Sequence, residues 1–299
     1  MTRILAGTKD GIHEFGPDGS PGTVHHAGRK VSALAPEGPS LWTILDGREV
    51  LRTTDHSRWE KAGMLEDLRA NCVADTRAGV VVGTSEAHLY RVAGGGLERV
   101  DSFDQVQGRG DWYTPWGGPP DSRSLSEDDD TVYVNVHVGG IVRTKDEGTT
   151  WEPTIDINAD VHRVWAIRGW VFAACARGLA VSDDRGDSWT VRKDGLHSTY
   201  CRGVAVCGDT VLLSASSGPG GGHATVYRGA LDGGSFERCR QGLPQWFDDN
   251  IDSYCLDAIP DLAAFGTADG RVFASRDEGA TWGEIASGLP SLRCLLVMP

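Results

Sequence analysis

Short apolar segments recur along the whole chain, each followed by a glycine turn and a second apolar segment. Val132–His137 precedes Ile141–Thr144 in this way, and Leu262–Phe265 precedes Val272–Ser275. Alternation of apolar and polar residues with a period of two is typical of β-strands, and no stretch keeps the 3.6-residue apolar period of a helix. The pattern therefore predicts an all-β protein with almost no helix.

One turn motif follows the second apolar segment in three places. The copies are Thr144–Trp151, Ser182–Trp189 and Ser275–Trp282, and each has the form Ser/Thr-x-Asp-x-Gly-x-x-Trp. Thr53–Trp59 is a shorter copy without the glycine. The first two full copies are about 40 residues apart, and the two wider gaps between copies are each about twice as long. The wide gaps should therefore each hide one degenerate copy.

Degenerate copies occur at the expected places. Leu231–Phe236 has Phe in place of Trp, Arg91–Leu97 keeps only the glycines, and Phe15–Gly19 precedes the first recognisable copy. Seven repeats with a period near 40 residues are typical of four-stranded propeller blades. The sequence thus predicts a seven-bladed β-propeller of four-stranded antiparallel blades.

The two ends of the chain indicate how the ring closes. Arg3–Ala6 matches the second strand of a blade, whereas Leu295–Met298 matches an additional first strand. Pairing of the two would leave no open sheet edge. We therefore expect residues 1–299 to form a single domain in which the C-terminal strand completes the N-terminal blade.

The residues of the repeated turn have structural roles. An Asp carboxylate and a Ser or Thr hydroxyl accept backbone N–H groups that the sheet leaves unpaired. Glycine supplies a positive φ, and Trp fills the gap to the next sheet. The Asp of this motif is therefore a poor candidate for a catalytic acid.

The motif is the Asp box, or BNR repeat, and through it the whole chain resembles the Asp-box propellers. These include sialidases, sortilin-type receptors, xyloglucanases and a photosystem II assembly factor. The segment Arg3-Ile4-Leu5 lacks the proline of the sialidase Arg-Ile-Pro motif, no Tyr–Glu pair can be assigned, and sialidases have six blades. The assembly factor has seven blades and binds another protein, so this resemblance implies a binding or scaffold role.

Composition excludes several classes of partner. The net charge is −13, from 29 basic and 42 acidic residues, and no basic cluster occurs. Nucleic acid and anionic membrane surfaces are therefore not expected partners.

The seven cysteines contain no C-x-x-C pair, which favours reduced, buried thiols. No apolar run approaches the roughly 18 residues of a membrane span, and the N-terminus lacks the apolar core of a leader, so we expect a cytoplasmic monomer.

A ligand site is expected where the loops entering each first strand meet the turns between second and third strands. The longest such loop is Gln105–Ser122. Loops of this length are usually functional or disordered, and aromatic residues argue against disorder. Its candidate ligand-binding residues are Trp112, Tyr113 and Trp116. A plug that merely fills the channel is the alternative.

Neighbouring loops supply charged and titratable candidates. The remaining candidate ligand-binding residues are Arg123, Arg163, Arg202, Asp252, Tyr254 and Arg293. Converging arginines would bind an anion, unless they pair with adjacent carboxylates instead. His137, His162 and His197 are the candidate general bases or metal ligands, and solvated surface histidines are the alternative.

Two functional hypotheses follow. The first is a binding or scaffold protein that takes a small anionic molecule or a protein partner. The second is an enzyme, a hydrolase or lyase with or without an assisting metal, that acts on a small anionic or sugar-like substrate with the three histidines near the arginines. The sequence contains no motif that specifies a cofactor.

Overall fold

In the computed structural model, which describes residues 2–299, 28 strands form seven four-stranded antiparallel sheets. The sheets are the blades of a seven-bladed β-propeller, as the repeat count predicts. Helix within the described residues is confined to four 3-10 segments of three residues each. The predicted all-β class and blade number are both confirmed.

Six of the sheets each contain a group of four strands that are consecutive in the chain. The remaining sheet contains a group of three, the first strands of the chain, together with the last strand. The first three groups are β1 (Arg3–Thr8), β2 (Gly11–Phe15) and β3 (Pro21–His25); β4 (Val31–Glu37), β5 (Ser40–Leu45), β6 (Glu49–Thr53) and β7 (Glu60–Met64); and β8 (Ala70–Thr76), β9 (Gly79–Thr84), β10 (Leu89–Ala93) and β11 (Gly96–Arg99). The next two are β12 (Ser122–Asp128), β13 (Thr131–Val136), β14 (Gly140–Thr144) and β15 (Glu152–Pro153); and β16 (Val161–Ile167), β17 (Trp170–Cys175), β18 (Gly178–Ser182) and β19 (Thr190–Arg192). The last strands are β20 (Tyr200–Cys207), β21 (Thr210–Ser216), β22 (Thr225–Ala230) and β23 (Gly233–Arg238); β24 (Leu256–Ile259), β25 (Leu262–Gly266), β26 (Val272–Ser275) and β27 (Gly283–Ala286); and β28 (Leu292–Met298).

The C-terminal strand completes the first blade. The order in this sheet is β28-β1-β2-β3, and β28 is antiparallel to β1 with Ile4 opposite Val297 and Leu5 opposite Leu296. The predicted closure of the ring is therefore confirmed. It is achieved by pairing between the two ends of the chain, which removes an exposed strand edge.

Density of contacts divides the chain into two compact units. The first comprises the chain up to Val31 together with Ala174–Ala180 and Val191–Pro299, and the second comprises Ser32–Ala173 and Val181–Thr190. The single domain over residues 1–299 stays a prediction.

The position of a strand within its sheet explains its composition. Every residue of β5 and of β13 is buried, whereas β3 is exposed except for its half-buried last residue and β7 has one buried residue. A strand covered on both faces needs a nearly continuous apolar sequence, and a strand at the outer edge does not. Strands such as β5 and β13 therefore do not alternate strictly between apolar and polar residues, because both of their faces are buried.

The repeated turns form the predicted hydrogen bonds. In the turn between β14 and β15, Thr144 Oγ1 accepts from Gly148 N at 2.9 Å and Asp146 Oδ1 accepts from Thr150 N at 2.8 Å. The copies at Ser182 and Ser275 repeat the arrangement. Gly148 has a φ of +84°, which a residue with a side chain adopts only with strain. The Asp carboxylates are thus occupied by the backbone.

All seven cysteines are buried, as expected from the sequence. Their reduced state stays a prediction. Among residues 2–299, no helix has the length and apolar character needed to cross a membrane.

Candidate functional site

The long loop that joins β11 to β12 is tied to the body of the protein. Arg109 donates from Nη1 to the Ala87 carbonyl at 2.7 Å and from Nη2 to the Glu86 carbonyl at 3.1 Å. Its guanidinium also lies 4.9 Å from the Trp112 ring. Trp112 is therefore half-buried in the packing of the loop itself.

The far end of this loop covers a histidine. Trp116 is 71% exposed, yet its ring stacks on His137 with centroids 5.0 Å apart. Tyr113 donates from its hydroxyl to Asn158 Oδ1 at 3.3 Å. The two aromatic residues thus connect the loop to the turn after β13 and to the segment that enters β16.

His137, Asp160 and His162 converge beneath Trp116. Asp160 Oδ1 lies 3.1 Å from His137 Nε2 and 3.7 Å from His162 Nε2. One candidate ligand atom from each residue lies within 4.8 Å of the others. The histidines are almost fully buried, with exposures of 3% and 1%, whereas the Asp160 side chain is 29% exposed. The structure therefore brings two of the three predicted histidines together around one carboxylate.

Local backbone geometry places the three side chains. His137 begins the turn between β13 and β14, and its N–H donates to the Asp121 carbonyl at 2.9 Å. Asp160 follows the 3-10 segment Ile157–Ala159 with a φ of +52°, and His162 is the second residue of β16. Asp160 and His162 both lie against His137, because Asp160 Oδ1 is 3.1 Å from His137 Nε2 and the two imidazole centroids are 6.2 Å apart.

The surroundings favour the ionised form of the carboxylate in this cluster. A hydrogen bond with His137 is the main cause that lowers the pKa of Asp160, burial opposes it, and electrostatic interactions with His162, His137 and Arg123 lower it further. His137 Nδ1 is buried without a hydrogen-bond partner among residues 2–299. Nε2 is therefore the His137 nitrogen that takes part in the cluster.

Two of the predicted arginines are engaged within the protein. Arg163 is buried, and its guanidinium lies 5.0 Å from the Trp165 ring. Arg202 forms an ion pair with Asp252, with Nε 2.7 Å from Oδ1. The pairing of Arg202 is the alternative that sequence reasoning left open.

The other charged candidates differ in exposure. Arg123 is half-buried and acts on Asp160 through its charge, and Arg293 is exposed in β28. Tyr254 is half-buried in the 3-10 segment Ser253–Cys255.

His197 belongs to a different cluster, formed by aromatic and cationic side chains. The backbone N–H of His197 donates to the Tyr227 hydroxyl oxygen at 3.1 Å, and the ring Nδ1 lies 2.8 Å from the same oxygen. The Trp246 ring contacts His197 with centroids 4.7 Å apart and meets His223 edge-on. Burial, followed by the charges of Arg238 and His223, lowers the pKa of His197.

A cleft of about 670 Å³ lies beside His197. The Arg238 guanidinium sits 3.7 Å from the centroid of the Trp246 ring at one wall, and exposed Arg240 lines the same cleft. Arg238 Nε is buried with no hydrogen-bond acceptor, and neither arginine pairs with a carboxylate in the part of the chain that the structure describes. The cleft therefore presents two cations and an aromatic face, with the exposed carboxylate of Glu237 also in its lining.

Sequence reasoning missed four of these residues, namely Asp160, Arg238, Arg240 and Trp246. Asp160 lies directly before β16 and two positions before His162, and spacing alone does not distinguish it from other acidic residues in loops. Arg238 and Arg240 share the same spacing at the end of β23. No periodicity marks Trp246, whose contact with Arg238 depends on how the loop after β23 folds back.

Comparisons with known proteins support the fold. No protein-family model matches the sequence, and no curated protein is detectably similar to it. BamB from Moraxella catarrhalis is 16% identical with a TM-score of 0.59, covering 99% of this chain and 85% of that one. YCF48 bound to a D1 peptide is 14% identical with a TM-score of 0.55, covering 98% and 86%.

An ancestral GH74 enzyme is also similar in structure. It is 13% identical with a TM-score of 0.64, and the match covers 99% of this chain but 40% of that one. At these identities the likeness extends to the fold alone. The chain is thus similar in fold to β-propellers that include both enzymes and proteins of other kinds.

Proposed function

We propose that this protein is a binding protein whose Arg238 cleft takes an acidic peptide segment of a partner protein. The observation that carries the proposal is the pair of arginines at the cleft, Arg238 and Arg240, which have no carboxylate partner among residues 2–299 although the net charge is −13. With 42 acidic residues available, unpaired arginines at a cleft favour an external anion.

The chemistry of the cleft suits a carboxylate. Burial lowers the pKa of Arg238, which reflects partial loss of hydration of its cation. A guanidinium in that state gains more from a charge-assisted hydrogen bond than one in water does, and its planar fork matches a carboxylate. Arg238 lines the cleft, so its guanidinium supplies the donors for that bond.

The walls suit a peptide. Trp246 and Phe236 provide apolar surface beside the arginines, and a cleft of about 670 Å³ accommodates a few side chains. YCF48, which has a similar fold, has been solved with a peptide bound. This precedent supports a peptide over a free metabolite.

The test is a titration of fluorescein-labelled acidic hexapeptides, with neutral amide peptides as controls. Arg238→Gln and Arg240→Gln are each expected to weaken binding of the best acidic peptide by about tenfold or more, because one charge-assisted hydrogen bond contributes about 1.5–3 kcal/mol. Arg276→Gln, an exposed arginine in a repeated turn, is the matched control and should bind normally. Failure of every acidic peptide to bind, or equal binding by the double variant, would overturn the proposal.

Further properties belong to the same proposal. The repeated turns support membership of the Asp-box propellers, and the ring closure supports a single domain over residues 1–299. An odd number of scattered cysteines without a C-x-x-C pair supports a cytoplasmic location, because disulfide frameworks are rare there. We also propose that the protein acts as a monomer.

A further inference from the structure

We propose that His137, Asp160 and His162 form a binding site for a divalent transition metal ion of the zinc class. This inference is independent of the peptide cleft, since the cluster uses none of the residues that line it.

The distances within the cluster match a tetrahedral centre. Ligands about 2.1 Å from a tetrahedral zinc ion lie about 3.4 Å from one another. Asp160 Oδ1 is 3.1 Å from His137 Nε2 and 3.7 Å from His162 Nε2, so these two distances between ligand atoms lie on either side of this value. The distance between the ligand nitrogens of the two histidines is no longer than 4.8 Å. An ion can therefore be held with small side-chain movements.

The donor set selects the class of ion. Two imidazole nitrogens with one carboxylate oxygen suit Zn²⁺, Fe²⁺, Co²⁺ and Ni²⁺, whereas Ca²⁺ and Mg²⁺ prefer oxygen ligands throughout. Three protein ligands also leave a position for water or a substrate atom, as in catalytic rather than structural zinc sites. Such a centre would supply the chemistry on which the enzyme hypothesis depends.

The surroundings provide rigidity and an entry path. Both imidazoles are buried, with Trp116 stacked on His137, and the turn that carries His137 is fixed by its hydrogen bond to the Asp121 carbonyl. Asp160 is the exposed member of the cluster, at 29%. Entry of the ion past Asp160 requires no opening of the sheet.

The test uses the full chain, stripped of metal with a chelator and titrated with Zn²⁺ by calorimetry. One equivalent should bind, and Asp160→Asn and His162→Gln should each weaken binding by about 100-fold or more, since each removes one of three ligands. His56→Gln is the matched control, because His56 is outside the cluster and its Nε2 lies beside the Pro39 carbonyl. Circular dichroism establishes that each variant is folded.

Cobalt provides a second measurement that needs no variant. Co²⁺ bound to wild-type protein should give the visible absorption of a four-coordinate nitrogen and oxygen site, and Zn²⁺ should displace it. Absence of a stoichiometric ion in both titrations, or equal binding by Asp160→Asn, would show that the cluster is only a hydrogen-bonded group. Peptide binding at the Arg238 cleft would be unaffected by either result.

Discussion

Two histidine clusters are built from the same kinds of loop but have opposite electrostatic character. Each takes one histidine from a turn between second and third strands, His137 or His223. The other histidine comes from the start of a first strand, His162, or from the segment that enters one, His197. In the first cluster both imidazoles are buried around the Asp160 carboxylate. In the second, both histidines reach solvent, although Tyr227 and Trp246 cover part of the His197 ring, and the charge of Arg238 acts on His197.

The difference shows that the residue beside the histidines determines the chemistry of the site. A carboxylate holds two buried imidazoles close together and favours a cation among them. An arginine beside an imidazole disfavours its protonation and favours an anion nearby. The same loop positions can therefore build a cation site or an anion site, depending on one charged neighbour.

The largest expected effect is on stability when Asp160 is neutralised. Asp160→Asn removes the carboxylate from two buried imidazoles and should lower the free energy of unfolding by about 2 kcal/mol, less than for a fully buried pair because Asp160 is partly exposed. Urea unfolding at neutral pH in the presence of chelator measures this.

The matched control is Asp252→Asn, which breaks the ion pair with Arg202. Asp252 is 47% exposed, so the loss should stay below about 1 kcal/mol. Equal losses in the two variants would mean that the shared carboxylate has no special role in holding the histidines.

A smaller effect is expected on the accessibility of His137. Trp116→Ala removes the ring stacked on His137, so this imidazole should react several-fold faster with diethyl pyrocarbonate, as followed by peptide mass spectrometry. His197 is exposed in the unaltered protein and serves as the internal reference. An unchanged rate at His137 would show that other residues shield it.

The sequence predicts the fold well because the repeat is physically demanding. The turns at Thr144, Ser182 and Ser275 need a hydroxyl acceptor, a carboxylate and a glycine at fixed positions, so the motif can be recognised in the sequence. Spacing then locates the degenerate copies. The closing strand β28 follows from the same count, because a chain that starts at a second strand lacks a first one.

The candidate site could be predicted only in part. Loop position identifies His137 and His162. The partner of both is Asp160, which is one of 42 acidic residues and has a left-handed backbone that the sequence does not indicate. The contact of Arg238 with Trp246 joins a strand end to a loop with no periodicity. Such contacts depend on the path of each loop, and sequence spacing carries no information about that path.

The smallest expected effect is on the titration of His197, and it tests whether the charge that acts on this histidine is positive. Burial is the larger cause of the lowered pKa of His197, and the Arg238 charge is the next. Arg238→Gln should therefore raise the pKa of His197, but not fully to 6.5, because burial remains. NMR titration of the imidazole proton, assigned with His197→Gln, measures the change, and Arg276→Gln should leave it unaltered.

The same shift predicts how stability depends on pH. Because the folded pKa lies below 6.5, the unfolded chain binds the proton more readily, so this group destabilises the folded protein as the pH falls below about 6.5. The penalty should be smaller in Arg238→Gln than in the unaltered protein. A pKa that falls on removal of Arg238 would contradict a cationic cleft, and with it the contrast between the two clusters.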